Sequence, residues 1–165
     1  MTNTKKNNPV VLGLDPGFGR LGYAVLGGSK NSPQIIKFGC IETSNKNLHS
    51  DRLLTIKQSL LVILKKYQPS SVAIEKLYFS RNVKTALQVA EARGVLLITT
   101  AEAGYRIQEF SPQEVKLAAT GQGNADKLQV QKMLKLMFKL DKVPKPDDAA
   151  DALALALCGL LYLPK

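Results

Sequence analysis

Residues 10–27 read VVLGLDPGFGRLGYAVLG, two apolar segments joined by a short turn that contains Pro and Gly. The first segment, VVLGL, is apolar throughout, and the second, LGYAVLG at 21–27, alternates as a half-buried strand does. A third β-rich run, QIIKFGCIET at 34–43, follows the turn GGSKNSP. Because both connections are short, this part of the chain is predicted to form an antiparallel meander of three strands.

The pattern then alternates between helix and strand. Residues 48–67 repeat apolar side chains at helical spacing, and 82–103 predict a second long helix. A short strand-like run follows each helix, SSVAIE at 70–75 and YRIQEF at 105–110. A strand reached through a helix pairs in parallel, so we expect an α/β fold with a mixed five-stranded sheet, the meander plus two parallel strands, flanked by helices.

Three shorter helices are predicted after the last strand. Ser111 to Glu114 form the pattern of a capping box with Pro at the first helical position. After the Gly-rich break TGQGN, Asn124 or Asp126 is expected to cap the next helix. The last helix lies in DDAADALALALCGLLYL, with Asp147 as its predicted cap.

The composition describes a single soluble domain. The chain has 165 residues, 45% of them apolar, and we expect a flexible tail over 1–8 and one domain over 9–165. Collagen-like, disulfide-framework and wholly disordered classes are excluded. No apolar run reaches the length of a spanning helix and no signal-peptide pattern opens the chain, so a cytoplasmic location is expected. Cys40 and Cys158 are far apart in sequence and fit a reducing compartment.

The charge points to a polyanionic partner. Lys and Arg number 23 against 13 Asp and Glu, a net charge of +10 at pH 7. The basic residues are spread along the chain, whereas a basic membrane-surface protein would gather them on one amphipathic helix. Nucleic acid is therefore the leading candidate, because Lys and Arg release the counterions condensed on phosphates.

Two acids follow predicted neighbouring strands. Asp15 ends the first strand and Glu75 ends the run Val72-Ala73-Ile74, so both should project from the same edge of the sheet. Asp15 also suits a turn with Pro-Gly, which is a purely structural alternative. For Glu75 the alternative is a buried salt bridge to Lys76 or Arg20, since an unpaired carboxylate is costly in a buried strand.

Asp148 and Asp151 are three residues apart and share one face of the last helix. Complementing the helix dipole explains Asp147 and Asp148 but does little for Asp151, which lies deeper in an Ala/Leu helix. If this helix starts at the rim of the sheet, four acids converge, and such a cluster needs protons or metal ions to neutralise it. An all-oxygen donor set selects Mg²⁺ or Mn²⁺, and two such ions hydrolyse phosphodiesters, so the site predicts a nuclease.

The chain resembles the RuvC family of Holliday-junction resolvases, which have a ribonuclease H-like fold. The resemblance runs through LGLDPGFGRLGYAVL, GCIET, DRL, VAIEKLYFSRN, ARG and EVK to DDAADALALAL. It implies that the four acids above are the catalytic, metal-binding positions for two Mg²⁺ ions, with Mn²⁺ as a substitute. It further implies DNA-contacting roles for Tyr78, Phe79, Arg81, Asn82, Lys116 and Lys127.

The same resemblance implies biological partners. These are four-way junction DNA, a second copy of the chain, and the RuvA and RuvB branch-migration proteins. Val83, Leu87, Ala90 and Gly94 line one side of the second long helix and are a candidate dimer interface, although a core-facing stripe would look the same. The chain departs from the family at Tyr78, where Phe is common, and at Gly159, where His is frequent.

Three other functions compete with a resolvase. The first is a YqgF-type RNA-processing nuclease with a similar LDPG start, which the DAADALALAL ending disfavours. The second is an actin- or sugar-kinase-like phosphate-binding domain, for which 165 residues leave no room for a second lobe. The third is a catalytically silent junction-binding protein, but such a protein would gain nothing from four acids near phosphates.

Overall fold

The computed structural model describes residues 8–77 and 83–164, without the side chains of 83–85. Most of the predicted tail over 1–8 lies outside the described residues, as do Tyr78, Phe79, Arg81 and Asn82. The strands are β1 (Val11–Asp15), β2 (Arg20–Ser29), β3 (Ser32–Glu42), β4 (Ser71–Glu75) and β5 (Ile107–Phe110). The helices are α1 (His49–Tyr67), α2 (Val83–Glu102), α3 (Pro112–Thr120), α4 (Lys127–Met137) and α5 (Asp147–Leu161). None of the described helices is both long and apolar enough to cross a membrane.

The sheet confirms the predicted topology. Its five strands lie in the order β3-β2-β1-β4-β5. β1 pairs antiparallel with β2, and β2 with β3, whereas β4 is parallel to both β1 and β5. The two connections that contain helices, through α1 and α2, therefore produce the two parallel pairings, as expected.

Helices cover both faces of the sheet because the strands alternate in sequence. Leu12 and Leu14 of β1 and Val72 and Ile74 of β4 belong to one core cluster, with α1 and α2. The residues that alternate with them along the strands, such as Val11 and Ala73, pack with α3, α4 and α5 in a second cluster. Asp15 and Glu75 therefore fall on the α5 face of the sheet, since successive side chains of a strand point to opposite faces.

α5 lies directly on glycines of the two central strands. A methyl group at Gly13 would overlap the carbonyl oxygen of Ala152, and one at Gly22 would overlap that of Asp148. At the far end of the helix, a methyl group on Gly159 would lie 2.8 Å from Val11 Cγ1 and 2.9 Å from Ala73 Cβ. The Gly159 departure from the family thus fits the packing, because the side chains of Val11 and Ala73 occupy the space that a Cβ would need.

Some element ends differ from the predictions. β5 begins at Ile107 rather than at residue 105, because Gly104 (φ 78°) ends α2 in a turn in which the Tyr105 amide donates to the Thr100 carbonyl. Of the two residues expected to cap α4, Asp126 does so, through a capping box with Gln129.

The predicted cap of α5 is wrong. Pro146 is the N-cap residue, and Asp147 lies inside the first turn. The Asp147 carboxylate accepts from Lys145 at 2.8 Å and from Gln131 at 3.2 Å. These side chains hold the carboxylate, which does not cap the backbone of the helix.

Gly22→Ala should destabilise the protein by about 1–3 kcal/mol or more, because the methyl group forces the start of α5 away from β2. Urea unfolding of the metal-free protein measures this. Gly27→Ala in the same strand is the matched control, since its methyl group meets only the mobile end of the Ile36 side chain at 3.0 Å. Equal stability losses for the two variants would show that the contact with α5 is not as tight as the packing indicates.

Candidate active site

The carboxyl ends of β1 and β4 bring two acids to one rim of the sheet. The two strands are adjacent and parallel, with Leu14 opposite Ile74, so Asp15 and Glu75 each follow the last paired residues. Both residues are partly buried, and neither strand carries another acid. The prediction that the two acids project from neighbouring strand ends is confirmed.

α5 adds two acids from above the same rim. The helix begins where its Asp148 carbonyl touches Gly22 of β2, which places its first turns over the end of β1. Asp151 lies one turn after Asp148, deeper in the helix. The close approach of α5 to the glycines therefore determines where these carboxylates stand relative to Asp15.

A cavity opens between the rim and the helices α3, α4 and α5. Asp15, Glu75 and Asp151 line it, together with the ammonium-bearing side chains of Lys116 and Lys127. The rest of the lining is apolar and consists of Pro112, Val115, Val130, Ala154 and Leu155. Both predicted basic residues thus face the predicted acids.

The pKa of Asp15 is raised to about 8. Burial is the main cause, and the charges of Asp151, Glu75 and Asp148 add to it, while Lys127 opposes it. Burial and the Asp151 charge also raise the pKa of Glu75, against Lys116. The pKa of Asp151 is raised by burial in spite of its hydrogen bond from Lys127. At this rim, burial first and the repulsion between the carboxylates second therefore disfavour their charged forms.

Two basic side chains already form ion pairs with the acids of α5. Lys127 Nζ is 2.9 Å from Asp151 Oδ2 and 3.6 Å from Asp147 Oδ2. Burial works against the charge of Lys127, but the hydrogen bond to Asp151 and the nearby carboxylates outweigh it and raise its pKa. Arg20 lies 3.4 Å from Asp148 Oδ2 and 3.2 Å from Glu42 Oε1.

The proposed alternative for Glu75, a salt bridge to Arg20 or Lys76, is not found. Arg20 pairs with Asp148 and Glu42 instead. Among the side chains of residues 8–77 and 86–164, no ion pair involves the Glu75 carboxylate. The Glu75 carboxylate that the salt-bridge alternative was meant to explain is thus left lining the cavity.

The donors at the rim fit a hard divalent cation by their chemistry. All are carboxylate oxygens, which Mg²⁺ and Mn²⁺ prefer, and the raised pKa of Asp15 marks a buried acid short of positive charge. In the described part of the chain, no three His, Cys, Asp or Glu side chains are arranged to hold one ion. Lys127 holds Asp151 and Arg20 holds Asp148 in this arrangement.

The loop after Asp15 is fixed by a contact that the sequence did not reveal. Phe18 is 6% exposed, and the Arg52 guanidinium stacks 3.7 Å from the centre of its ring. Thr43 Oγ1 donates to the Phe18 carbonyl at 2.6 Å and accepts from Arg52 Nε at 3.1 Å. His49, whose ring centre is 4.6 Å from that of Phe18, also pairs with Glu91 of α2. Phe18, Thr43 and Arg52 lie in the segments LGLDPGFGRLGYAVL, GCIET and DRL that resemble the family, but the resemblance assigns them no role.

The fold and the rim together define a class of protein. A sheet of this order, with acids at the ends of its first and fourth strands and on a C-terminal helix, is the ribonuclease H-like fold. Within that class the matches to known proteins are specific.

The chain belongs to the RuvC family, since the family model described as crossover junction endodeoxyribonuclease RuvC matches residues 11–159. The RuvC of Petrotoga mobilis is 49% identical over 149 residues, covering 90% of this chain and 91% of the relative. That of Thermosipho melanesiensis is 49% identical over 148 residues, covering 90% and 94%. The structure of Thermus thermophilus RuvC in complex with a Holliday junction substrate superposes with a TM-score of 0.88 at 32% identity, covering 93% of this chain and 94% of that one.

Asp15→Asn should stabilise the metal-free protein at pH 8 by at least about 1.4 kcal/mol, the equivalent of one pKa unit. An acid with a raised folded pKa binds its proton more tightly when folded, so its ionisation destabilises the fold as the pH rises from about 4 to about 8. The advantage of the variant should therefore vanish near pH 4.

Urea unfolding in EDTA across this pH range tests the prediction. Asp141→Asn, at an exposed position, is the control. Added Mg²⁺ should stabilise the wild type and leave Asp15→Asn unchanged. A variant less stable than the wild type at pH 8 would make Asp15 a turn-stabilising residue instead.

Proposed function

We propose that this chain resolves four-way DNA junctions by symmetric paired nicks during homologous recombination and DNA repair, using Mg²⁺-dependent phosphodiester hydrolysis. The observation that carries the proposal is the convergence of carboxylates on one cavity in a chain of net charge +10. Membership of the crossover junction endodeoxyribonuclease family supports it, as does the likeness to a RuvC solved with a Holliday junction substrate.

Asp15, Glu75, Asp148 and Asp151 are the proposed metal ligands and catalytic residues. These residues would hold two Mg²⁺ or Mn²⁺ ions, which would supply the activation of a water and the charge stabilisation of the leaving oxygen in an in-line displacement. The chain contributes carboxylates at fixed positions, because each sits on a strand end or on the helix packed against it. The apolar residues that complete the lining bring no further polar groups to compete for a cation.

Lys116 and Lys127 are proposed to contact the phosphate of the scissile strand. Both line the cavity, on the helices α3 and α4 that face the acids. Lys127 now neutralises Asp151, and its ammonium becomes available to a phosphate once another cation lies on that carboxylate. A lysine with no role beyond a solvent-exposed helix face is not expected to line a cavity that contains carboxylates.

Tyr78, Phe79, Arg81 and Asn82 are proposed to contact bases at the junction centre. In sequence they follow the acid-bearing end of β4 and precede α2. An aromatic face stacks on any base without reading its sequence, which suits the open centre of a junction. These roles remain predictions, since the residues lie outside the described part of the chain.

A homodimer is proposed through α2, because symmetric cutting needs two active sites. Leu87, Ala90 and Gly94 of the predicted stripe are exposed, so they do not serve the core, and Ile98 extends the stripe with 54% exposure. Val83 belongs to the positions whose side chains are not described. The neighbouring α1 adds exposed Leu54, Leu61 and Val62. Cooperation with RuvA and RuvB and a cytoplasmic location belong to the same proposal.

Glu75→Gln should lower junction cleavage by at least about a thousandfold while junction binding persists or tightens, because the change removes a metal-binding charge and keeps the side-chain shape. The assay incubates a synthetic four-way junction, a linear duplex and an RNA duplex with each protein, in Mg²⁺ or EDTA. Glu102→Gln, a similar change at an exposed residue of α2, is the control.

Paired, symmetric nicks in the junction alone, dependent on Mg²⁺ and on Glu75, support the proposal. Tight binding without cleavage on several junction sequences would leave a silent binding protein. Cleavage of RNA alone would move the assignment to the RNA-processing nucleases.

Leu87→Glu should convert the dimer to a monomer, because a charge buried at the centre of an apolar interface is strongly unfavourable. Sedimentation velocity measures the change, with Leu136→Glu as the control, since Leu136 is 70% exposed on α4 instead. The monomeric variant should remain folded but should no longer make symmetric paired nicks. A wild-type chain that sediments as a monomer at all concentrations would contradict the interface.

A further inference from the structure

Arg93 of α2 connects the helix layer to the end of β4. Its Nε donates to the backbone carbonyl of Glu75 at 2.9 Å, and its terminal nitrogen pairs with the carboxylate of Glu109 in β5. The Arg93 side chain is only 16% exposed. A single guanidinium thus joins a helix, the last residue of β4 and the neighbouring strand.

The backbone at Glu75 lies where the sheet loses its regular pairing. The pairing of β1 with β4 ends at Leu14 opposite Ile74, so Glu75 has a strand partner only on the β5 side. On that side the Lys76 amide donates to the Phe110 carbonyl at 2.8 Å. The bond from Arg93 holds the peptide group between Glu75 and Lys76 at its carbonyl end, which no strand pairing reaches.

We propose that Arg93 is a positioning residue for Glu75: by tying the Glu75 carbonyl to Glu109, it sets the direction from which the Glu75 carboxylate meets a divalent cation. The inference rests on the proposed role of Glu75 in the active site. Arg93 contacts the backbone carbonyl of Glu75 rather than its carboxylate, and it does not line the cavity.

The chemistry of the guanidinium suits this role better than that of an ammonium. Arg93 donates from Nε and from a terminal nitrogen of one rigid, planar group, so the Glu75 carbonyl and the Glu109 carboxylate are held in a fixed relation. A Lys at the same place has a flexible stem and one nitrogen, which cannot hold both acceptors in that geometry. Because a metal site depends on ligand placement to within about 0.5 Å, a small rotation of the Glu75 peptide is enough to weaken it.

The experiment compares Arg93→Gln and Arg93→Lys with Glu75→Gln and the wild type. Arg106→Gln is the matched control, an exposed arginine just before β5. The first readout uses the protein without DNA: the rise in unfolding temperature as Mg²⁺ or Mn²⁺ is added. The second is the Mg²⁺ concentration that half-saturates junction cleavage, measured at saturating junction, alongside junction affinity in EDTA.

Both Arg93 variants should need about 10–100-fold more Mg²⁺ for half-saturation, the usual range for losing a group that supports a metal ligand. Their thermal response to Mg²⁺ should weaken to match, excess Mg²⁺ should restore most of the cleavage rate, and junction affinity in EDTA should stay within about twofold. Glu109→Gln, which frees one side of the guanidinium and spares the bond to Glu75, should shift the Mg²⁺ requirement in the same direction by less. The Glu109→Gln variant still tests the inference if Arg93→Gln fails to fold.

Failure of the inference is distinguishable from failure of the proposed function. If Arg93 variants are merely less stable, and the Mg²⁺ requirement of the folded protein matches that of the wild type, Arg93 is a structural residue and the inference is overturned. If Glu75→Gln itself cleaves junctions normally, the proposed active site is wrong and the inference loses its basis with it.

Discussion

The contact between α5 and the glycines of the central strands is the constraint on which the rest of the structure depends. Gly13 and Gly22 leave no room for a methyl group beneath the helix, and the Ala residues of α5 are small enough to follow the sheet closely. A helix so near to the backbone has little freedom to slide or tilt. The carboxylates of Asp148 and Asp151 are therefore placed by packing that lies outside the cavity itself.

This packing forces together groups that repel each other. Burial and three neighbouring acids raise the pKa of Asp15 to about 8. Ionisation of this carboxyl group therefore destabilises the fold unless a cation lies beside it. The surrounding structure must supply the stability that the rim loses. It does so in two apolar clusters, one on each face of the sheet, and both are built from the same alternating strands that carry the acids.

The positions of Asp15 and Glu75 at neighbouring strand ends could be predicted because their signal is local. Asp15 and Glu75 end strands whose apolar alternation is plain, and parity within each strand fixes the face to which they point. The predicted role of Asp147 as a helix cap was wrong. Its carboxylate pairs instead with Lys145, Lys127 and Gln131, and of these only Lys145 is near it in sequence. Arg20 and Arg93 were not assigned to the site for the same reason: their partners lie 128 and 18 residues away. Contacts between distant elements leave no periodic trace in a sequence.

The net charge of the chain and the charge of its cavity act over different distances. A charge of +10 attracts DNA from beyond contact, within the screening length of about 8–10 Å at physiological salt. Inside the cavity, the acids repel the phosphate that the surface attracts. Lys127 and Arg20 already neutralise Asp151 and Asp148, whereas Glu75 has no ion-pair partner among the described residues and Asp15 is short of positive charge. A phosphate can therefore approach the ends of β1 and β4 closely only when further cations lie there. Under the proposed function, the net positive charge can hold DNA without them, so junction binding and cleavage are expected to have separate ionic requirements.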